Sequence, residues 1–316
     1  MDLKTMVLDA DKRIRKYIRQ TPLEFSFPLS RLTGAKVYLK LESEQITGSF
    51  KIRGAMNKLL MLTDEEKRRG VVTASAGNHG LAMTYGMQQL GIKGYIYLPK
   101  TAERAKVQTL KDYGARIKFF GNDMVNTEQF AREEALKTGM VYVSPYNDWQ
   151  VVAGQGTIGV EIEKQLPGAE VVFVSIGGGG LVSGIAGYLK SVKPTVQVIG
   201  CQPENSPVMY ASIQAGKIVQ MKTKETLSDG TAGGIEPGAI TFTICQQFVN
   251  RYILANEEEI KKAIYLILDR HHKLIEGAAA LSVAALLQQK DLFKKKQIVL
   301  VLCGSDIGVE QLRKIL

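Results

Sequence analysis

The lysine at position 51 is the first residue of this chain whose neighbours point to chemistry. It stands in Ser49-Phe50-Lys51-Ile52-Arg53-Gly54, just after Thr47-Gly48 and just before Ala55. The run Leu39 to Glu42 reads as a strand and Ile52 to Leu62 as a helix. Lys51 is therefore placed at a strand-to-helix turn, between a bulky aromatic and an isoleucine. A lysine desolvated by such neighbours has a lowered pKa and becomes a usable amine nucleophile or base. A surface lysine at a helix start has the same local sequence, so the choice rests on what stands elsewhere.

Three glycine-containing stretches bear on that choice. Ser75-Ala76-Gly77-Asn78-His79-Gly80 lies between a strand and a helix, where backbone amides favour an anion such as a carboxylate. Ser75 and Asn78 add side-chain donors; taken alone, an N-capped helix after a tight turn fits equally well. Gly177-Gly178-Gly179-Gly180-Leu181 follows an apolar strand and opens a helix, and four glycines let the backbone wrap a phosphate. No Gly-Lys-Ser/Thr follows it, and G-x-G-x-x-G with a suitably placed acidic residue is absent, so neither a P-loop nor a dinucleotide site fits. Cys303-Gly304-Ser305 ends the last apolar strand at the sheet edge where ligands collect, although a free cysteine is commonly just a small buried hydrophobe. An activatable lysine, a phosphate cradle, a carboxylate cradle and a neutral polar group together suit pyridoxal phosphate. Its aldehyde needs an amine, its phosphate needs amides, and its pyridine nitrogen needs a partner.

The elements that must position these groups alternate. A helix over Met6 to Ile18 and a strand over Lys36 to Leu41 come first, then a capping box at Thr63-Asp64-Glu65-Glu66. Strands over 71–74, 95–98, 116–120 and 141–144 are separated by helices over 78–90, 102–113 and 126–137. Helix 151–165, strand 171–176, helix 181–192 and strand 196–202 continue the pattern. Residues Pro203 to Pro237 read as loop-rich; helices over 257–272 and 278–290 and a buried strand over 298–303 close the chain. Such β-α repetition with short links predicts doubly wound parallel sheets.

The chain has 316 residues, 45% hydrophobic and 23% charged, ordinary values for a soluble globular protein with room for two domains. A net charge of +10 raises the question of nucleic acid. The basic residues are dispersed, however, and no zinc-finger spacing or aromatic-basic interleaving occurs, so neither nucleic acid nor membrane is expected as a partner. Cys201, Cys245 and Cys303 form no C-x-x-C pair, which argues against a disulfide framework or zinc site. No run reaches the roughly 18 apolar residues of a membrane span, and a cytoplasmic setting is expected.

Ser-Phe-Lys-Ile-Arg-Gly-Ala, Ser-Ala-Gly-Asn-His-Gly, Gly-Gly-Gly-Gly-Leu and Cys-Gly-Ser-Asp, in that order, resemble the threonine/serine dehydratases. These are fold-type-II, tryptophan-synthase-β-like pyridoxal phosphate enzymes, a group that includes serine racemase. The resemblance extends to Ala153-Gly154-Gln155-Gly156-Thr157 and Leu274-Ile275-Glu276-Gly277-Ala278. It implies an α/β fold of two doubly wound parallel-sheet domains, a large one over 1–69 and 148–316 and a small inserted one over 70–147. It also implies that Lys51 forms the Schiff base with pyridoxal 5'-phosphate and is the catalytic residue. Phe50 then lies by the ring, Asn78 bonds the ring hydroxyl, and Gly177, Gly178, Gly179, Gly180 and Leu181 hold the phosphate. Cys303 meets the pyridine nitrogen, and Ser75, Gly77, Asn78 and His79 bind the substrate.

The implied reaction is α,β-elimination from L-threonine or L-serine to a 2-oxo acid and ammonia, in a homodimer or other homo-oligomer without a metal. The rivals are a racemase, a dehydratase for a bulkier β-hydroxy amino acid, and a non-catalytic sensor. The chain departs from the racemases at Ala76, where they carry a serine hydroxyl. At their cation site it keeps Glu204 but has Val208 and then Tyr210, and Gly233-Gly234 replaces polar side chains. With Leu316 as the last residue, the regulatory domain of the allosteric dehydratases is not expected.

Overall fold

The structure is a computed structural model and describes residues 2–316. Its strands are β1 (Leu23–Phe25), β2 (Lys36–Leu41), β3 (Val71–Ala74), β4 (Gly94–Leu98), β5 (Ile117–Phe119), β6 (Val141–Tyr142), β7 (Val171–Ser175), β8 (Gln197–Pro203), β9 (Arg251–Ala255) and β10 (Gln297–Leu302). They form two sheets. The larger has the order β1-β2-β10-β7-β8-β9, parallel except for β1, which pairs antiparallel with β2. The smaller, β5-β4-β3-β6, is parallel throughout.

Continuous apolar runs become the central strands because helices cover both sheet faces. All of β7 and nearly all of β10 are buried. The strands β1 and β5, whose residues are mostly exposed, lie at sheet edges. Glycines end several helices in the left-handed region, as at Gly91 and Gly139, one or two residues past the expected helix ends.

The helix Lys51–Leu60 ties the two sheets together. Ile52, Ala55, Met56 and Leu59 pack in one core with Val71, Leu81, Met83, Met87 and Ile96 of the smaller sheet and its helix. On its other side Gly54 lies against the helix Trp149–Gln165, and its N–H donates to the Gln155 side chain at 3.1 Å. A Cβ at Gly154 would stand 2.5 Å from the Arg53 carbonyl oxygen, which explains the glycine in that motif.

The first helix, expected over Met6 to Ile18, is present with shifted bounds: it covers Leu3–Ile14 and tightens to a 3-10 turn over Arg15–Tyr17. Several elements were not foreseen in the sequence. The 203–237 region carries the helix Val208–Ala215, and helices Phe27–Thr33, Ile240–Phe248 and Val309–Ile315 join β1 and β9 as additions. These helices are short, and β1 is a three-residue edge strand, so no period develops within them. Among the described residues, no helix is long and apolar enough to cross a membrane.

Candidate active site

The turn before Lys51 is fastened to the end of β10. The Phe50 N–H donates to the Cys303 carbonyl at 3.1 Å, the Ser305 N–H donates to the Gly48 carbonyl at 3.0 Å, and Ser49 bridges Gly304. Lys51 is the first residue of its helix, and its Nζ donates to the Pro145 carbonyl at 3.2 Å. Burial draws its pKa down to about 8, with Cys303 and Glu276 pulling the other way. A substantial fraction of the amine is therefore neutral near physiological pH, as a nucleophile or base requires.

The glycine loop leaves β7 and enters the helix Gly180–Val192, whose first N–H groups have no intrahelical acceptor. Gly179 has φ +87°, a conformation that side chains rarely adopt. A Cβ at Gly178 would stand 2.5 Å from the Tyr146 ring, so the backbone there runs directly under an aromatic lid. The Tyr146 hydroxyl accepts the Glu236 N–H at 2.9 Å and Thr241 Oγ1 donates to the Gly178 carbonyl at 2.6 Å, holding the loop from both sides.

Beyond β3, residues Ser75 to Gly77 lead into the helix Asn78–Leu90. His79 Nε2 lies 3.1 Å from the Val143 carbonyl, which can only accept, so Nε2 carries the proton and the buried Nδ1 has no partner. Burial, then the charge of Lys51, lowers its pKa to about 3; this imidazole is neutral at physiological pH. Asn78 Nδ2 donates to Glu276 Oε2 at 2.8 Å, and Asn78 Oδ1 is buried without a partner.

One cavity of about 430 Å³ lies at the carboxyl ends of β3, β7 and β10. Phe50, Lys51, Ser75, Gly77, Asn78, His79, Gly177 to Leu181 and Cys303 all border it, and so does Ala76. The Cys303 thiol is pushed well above its usual pKa, first by burial and then by Glu276, and remains neutral. Three bordering features were not picked out as site residues in the sequence: Glu276, Tyr146, and the Lys106–Asp229 ion pair at 2.7 Å. Glu276 was quoted within a motif, but as the residue capping an apolar helix it gave no separate signal. Tyr210 lies outside the cavity, its ring centroid 6.2 Å from that of Tyr252, and its N–H donates to Gln202.

The profile of the pyridoxal-phosphate dependent enzymes matches residues 14–304. The chain belongs to this family. It is 42% identical over 310 residues to an L-threonine ammonia-lyase of Thermotoga maritima, covering 98% of this chain and 77% of that protein. The processed form of threonine deaminase isoform 2 from Solanum lycopersicum superposes with a TM-score of 0.94 at 31% identity, covering 99% of this chain and 92% of that one. Maize serine racemase superposes nearly as well, with a TM-score of 0.93 at 29% identity over 98% and 95%. The fold is thus shared with relatives named as a threonine ammonia-lyase, a threonine deaminase and a serine racemase. The cavity suits the family's cofactor on its own evidence. It offers a lysine amine with a lowered pKa, a helix start wrapped in glycines, an orphaned Asn78 oxygen and a neutral thiol.

Proposed function

We propose that this chain is a pyridoxal 5'-phosphate-dependent dehydratase, an ammonia-lyase that converts L-threonine or L-serine to a 2-oxo acid and ammonia. The observation that carries the reading is the Lys51 amine, lowered in pKa and free of any carboxylate partner, on the same cavity as the Gly177–Gly180 loop. In this reading Lys51 anchors the cofactor, with Phe50 beside the ring. The loop from Gly177 to Leu181 holds the phosphate and Cys303 faces the pyridine nitrogen. The cofactor, when bound, acidifies the Cα–H of the substrate amino acid.

Ser75, Gly77, Asn78 and His79 hold the substrate carboxylate at the start of a 13-residue helix, where backbone N–H groups and the helix dipole favour an anion. Lys51 Nζ takes the proton from Cα, and the β-hydroxyl leaves as water. The released enamine hydrolyses to the 2-oxo acid and ammonia. A thiol that stays neutral does not protonate the pyridine nitrogen, which limits charge delocalisation and favours elimination over transamination. Ala76 places a methyl, which cannot carry a proton, where a racemase needs an acid.

The division into a large unit (1–69 and 148–316) and a small inserted unit (70–147) is part of the proposal and is supported by the two separate sheets. A homodimer or other homo-oligomer belongs to it as well, with the exposed Phe27 and Leu32 among the apolar side chains available for contact. So does a cytoplasmic setting, which the three buried, unpaired thiols suit. The deciding experiment incubates the holoenzyme with a panel of β-hydroxy amino acids and measures 2-oxo acid. The expected result is turnover of L-threonine or L-serine; binding without turnover would show a sensor instead.

A further inference from the structure

Glu276 is 3% exposed and borders the cavity, yet no lysine or arginine bonds to it. Its Oε2 accepts from two neutral donors, Asn78 Nδ2 at 2.8 Å and the Asp306 N–H at 2.9 Å. The chain closes tightly around the carboxyl: a Cβ at Gly304 would stand 2.8 Å from all three of its atoms. Other buried carboxylates here are treated differently, since Glu42 and Glu161 both bond to Arg53.

The groups around Glu276 are mostly of its own sign. Asp229 and Asp306 are carboxylates, Cys303 is a neutral thiol, Lys51 is the nearby cation, and Lys106 is engaged by Asp229. With every acid ionised, three negative charges would face two positive ones. Burial first, then Asp229 and Asp306, raises Glu276 to about 7, against the hydrogen bonds from Asn78 and Asp306.

Asn78 stands at the other end of this contact. An amide has one donating end and one accepting end, and here the donating end is on Glu276 while Oδ1 is buried without a partner. A carboxylate can only accept, so it holds the amide this way round. A carboxylic acid has an O–H to donate, and Oδ1 is the acceptor the structure leaves open. We propose that Glu276 is a positioning residue that acts through Asn78: as a carboxylate it holds Nδ2 and leaves Oδ1 for the cofactor, and as an acid it holds Oδ1 and presents Nδ2. The ring oxygen of the cofactor then meets an acceptor in one state and a donor in the other. One proton moves between solvent and the carboxyl and one amide rotates; no other bond is made or broken. The inference rests on the reading above, in which Asn78 adjoins the cofactor ring.

The test uses the substrate-free holoenzyme. Borohydride fixation with peptide mapping first establishes whether the cofactor is on Lys51. The visible spectrum and the infrared carboxyl band are then titrated from about pH 5.5 to about pH 8.5, a range that spans a carboxyl raised this far. The expected result is one shared midpoint near 7, with the visible transition lost in Glu276→Gln and in Asn78→Ala while the Lys51 adduct remains. Asn78→Ala should keep an infrared carboxyl transition, with its midpoint moved upward because the hydrogen bond that favours the carboxylate is gone. If Glu276→Gln does not fold, the wild-type infrared titration and Asn78→Ala carry the same decision. A visible spectrum flat across the range, or a visible transition kept in either variant, would overturn this inference alone. An adduct on another lysine would overturn the cofactor site itself, and this inference with it.

Discussion

Lys51 and Arg53 stand two residues apart at the start of one helix, and their surroundings are opposite. Arg53 is 0% exposed and fully answered. Its Nε and Nη2 donate to Glu42 at 2.7 and 2.8 Å, and its Nη1 and Nη2 donate to Glu161 at 2.8 and 3.0 Å. Lys40 adds a bond of 2.6 Å to Glu161. Burial opposes the charge of Arg53, but the two carboxylates more than offset it and raise its pKa; Glu161 is correspondingly held down by Arg53 and Lys40. Lys51 has only a backbone carbonyl, and burial lowers it. A buried cation given carboxylates is a structural fixture, and one denied them can lose its proton and react. The adjacent fixture also holds the first turn of the helix, and with it the position of the reactive amine.

The comparison would break at Lys51 first. Lys51→Ala should lower turnover by at least about 10⁴-fold, because it removes both the anchor and the base. It should also abolish the borohydride-fixed cofactor while leaving the melting temperature of the apoprotein nearly unchanged, since no ion pair is lost. Turnover assays, peptide mapping and thermal melts check the three parts. A large drop in stability would make Lys51 a fixture like its neighbour.

Arg53→Met should show the reverse pattern. Leaving Glu42 and Glu161 buried without their shared partner should cost about 3–5 kcal/mol. Urea denaturation of the apoprotein measures this. Adding Glu42→Gln should recover part of the loss, because the charge that Arg53 alone had paired is then gone, whereas Glu161 keeps Lys40 and Arg15. If Arg53→Met were harmless by itself, the cluster would not be the support described here.

The carboxylates sharpen the contrast through pH. Glu276 is raised from 4.5 to about 7, so the folded state holds its proton more tightly than the unfolded state does. Its contribution to stability is complete below the unfolded value and is lost as pH rises through about 7, up to about 3 kcal/mol. Glu161 has the opposite sign: its contribution is present above the unfolded value and is lost as pH falls through its lowered one. The urea midpoint of the apoprotein at about pH 8, taken relative to that at about pH 5, should therefore be higher in Glu276→Gln than in the wild type, with the opposite contribution of His79 common to both. An equal relative midpoint in the two proteins would remove Glu276 from the comparison.

This contrast explains which parts of the molecule could be read in the sequence. The glycine loops announced themselves locally, because a loop that wraps an anion needs consecutive small residues between a strand and a helix, and Lys51 was singled out by their company. The parallel sheets were legible for a related reason: apolar runs such as β7 alternate with helices that stop at glycines. Arg53 and Glu276 gave no local sign of their roles. The partners of Arg53 lie 11 and 108 residues away, and Asn78 lies 198 residues from Glu276, so only the folded chain shows which buried charge is paired. Edge strand β1, too short for a period, escaped for want of pattern.

The smallest expected effect concerns the face of the substrate opposite Lys51. Racemisation needs an acid or base on each face of the planar carbon, because one group alone returns the proton to the side it came from. Lys51 serves one face. Ala76 borders the same cavity with a methyl, beside Ser75, whose Oγ lies 3.4 Å from the Gly77 N–H in the turn proposed to hold the carboxylate. Water entering the cavity still delivers a proton slowly, since a missing general acid typically costs about 10²–10⁴-fold. The wild type should therefore form 2-oxo acid much faster than inverted amino acid, and Ala76→Ser should raise the share of inversion while elimination continues. Chiral chromatography of an L-serine reaction, with 2-oxo acid measured in parallel, checks both. Comparable rates in the wild type would mean that a group other than residue 76 protonates the far face. The site would then hold a second reactive residue of the Lys51 kind.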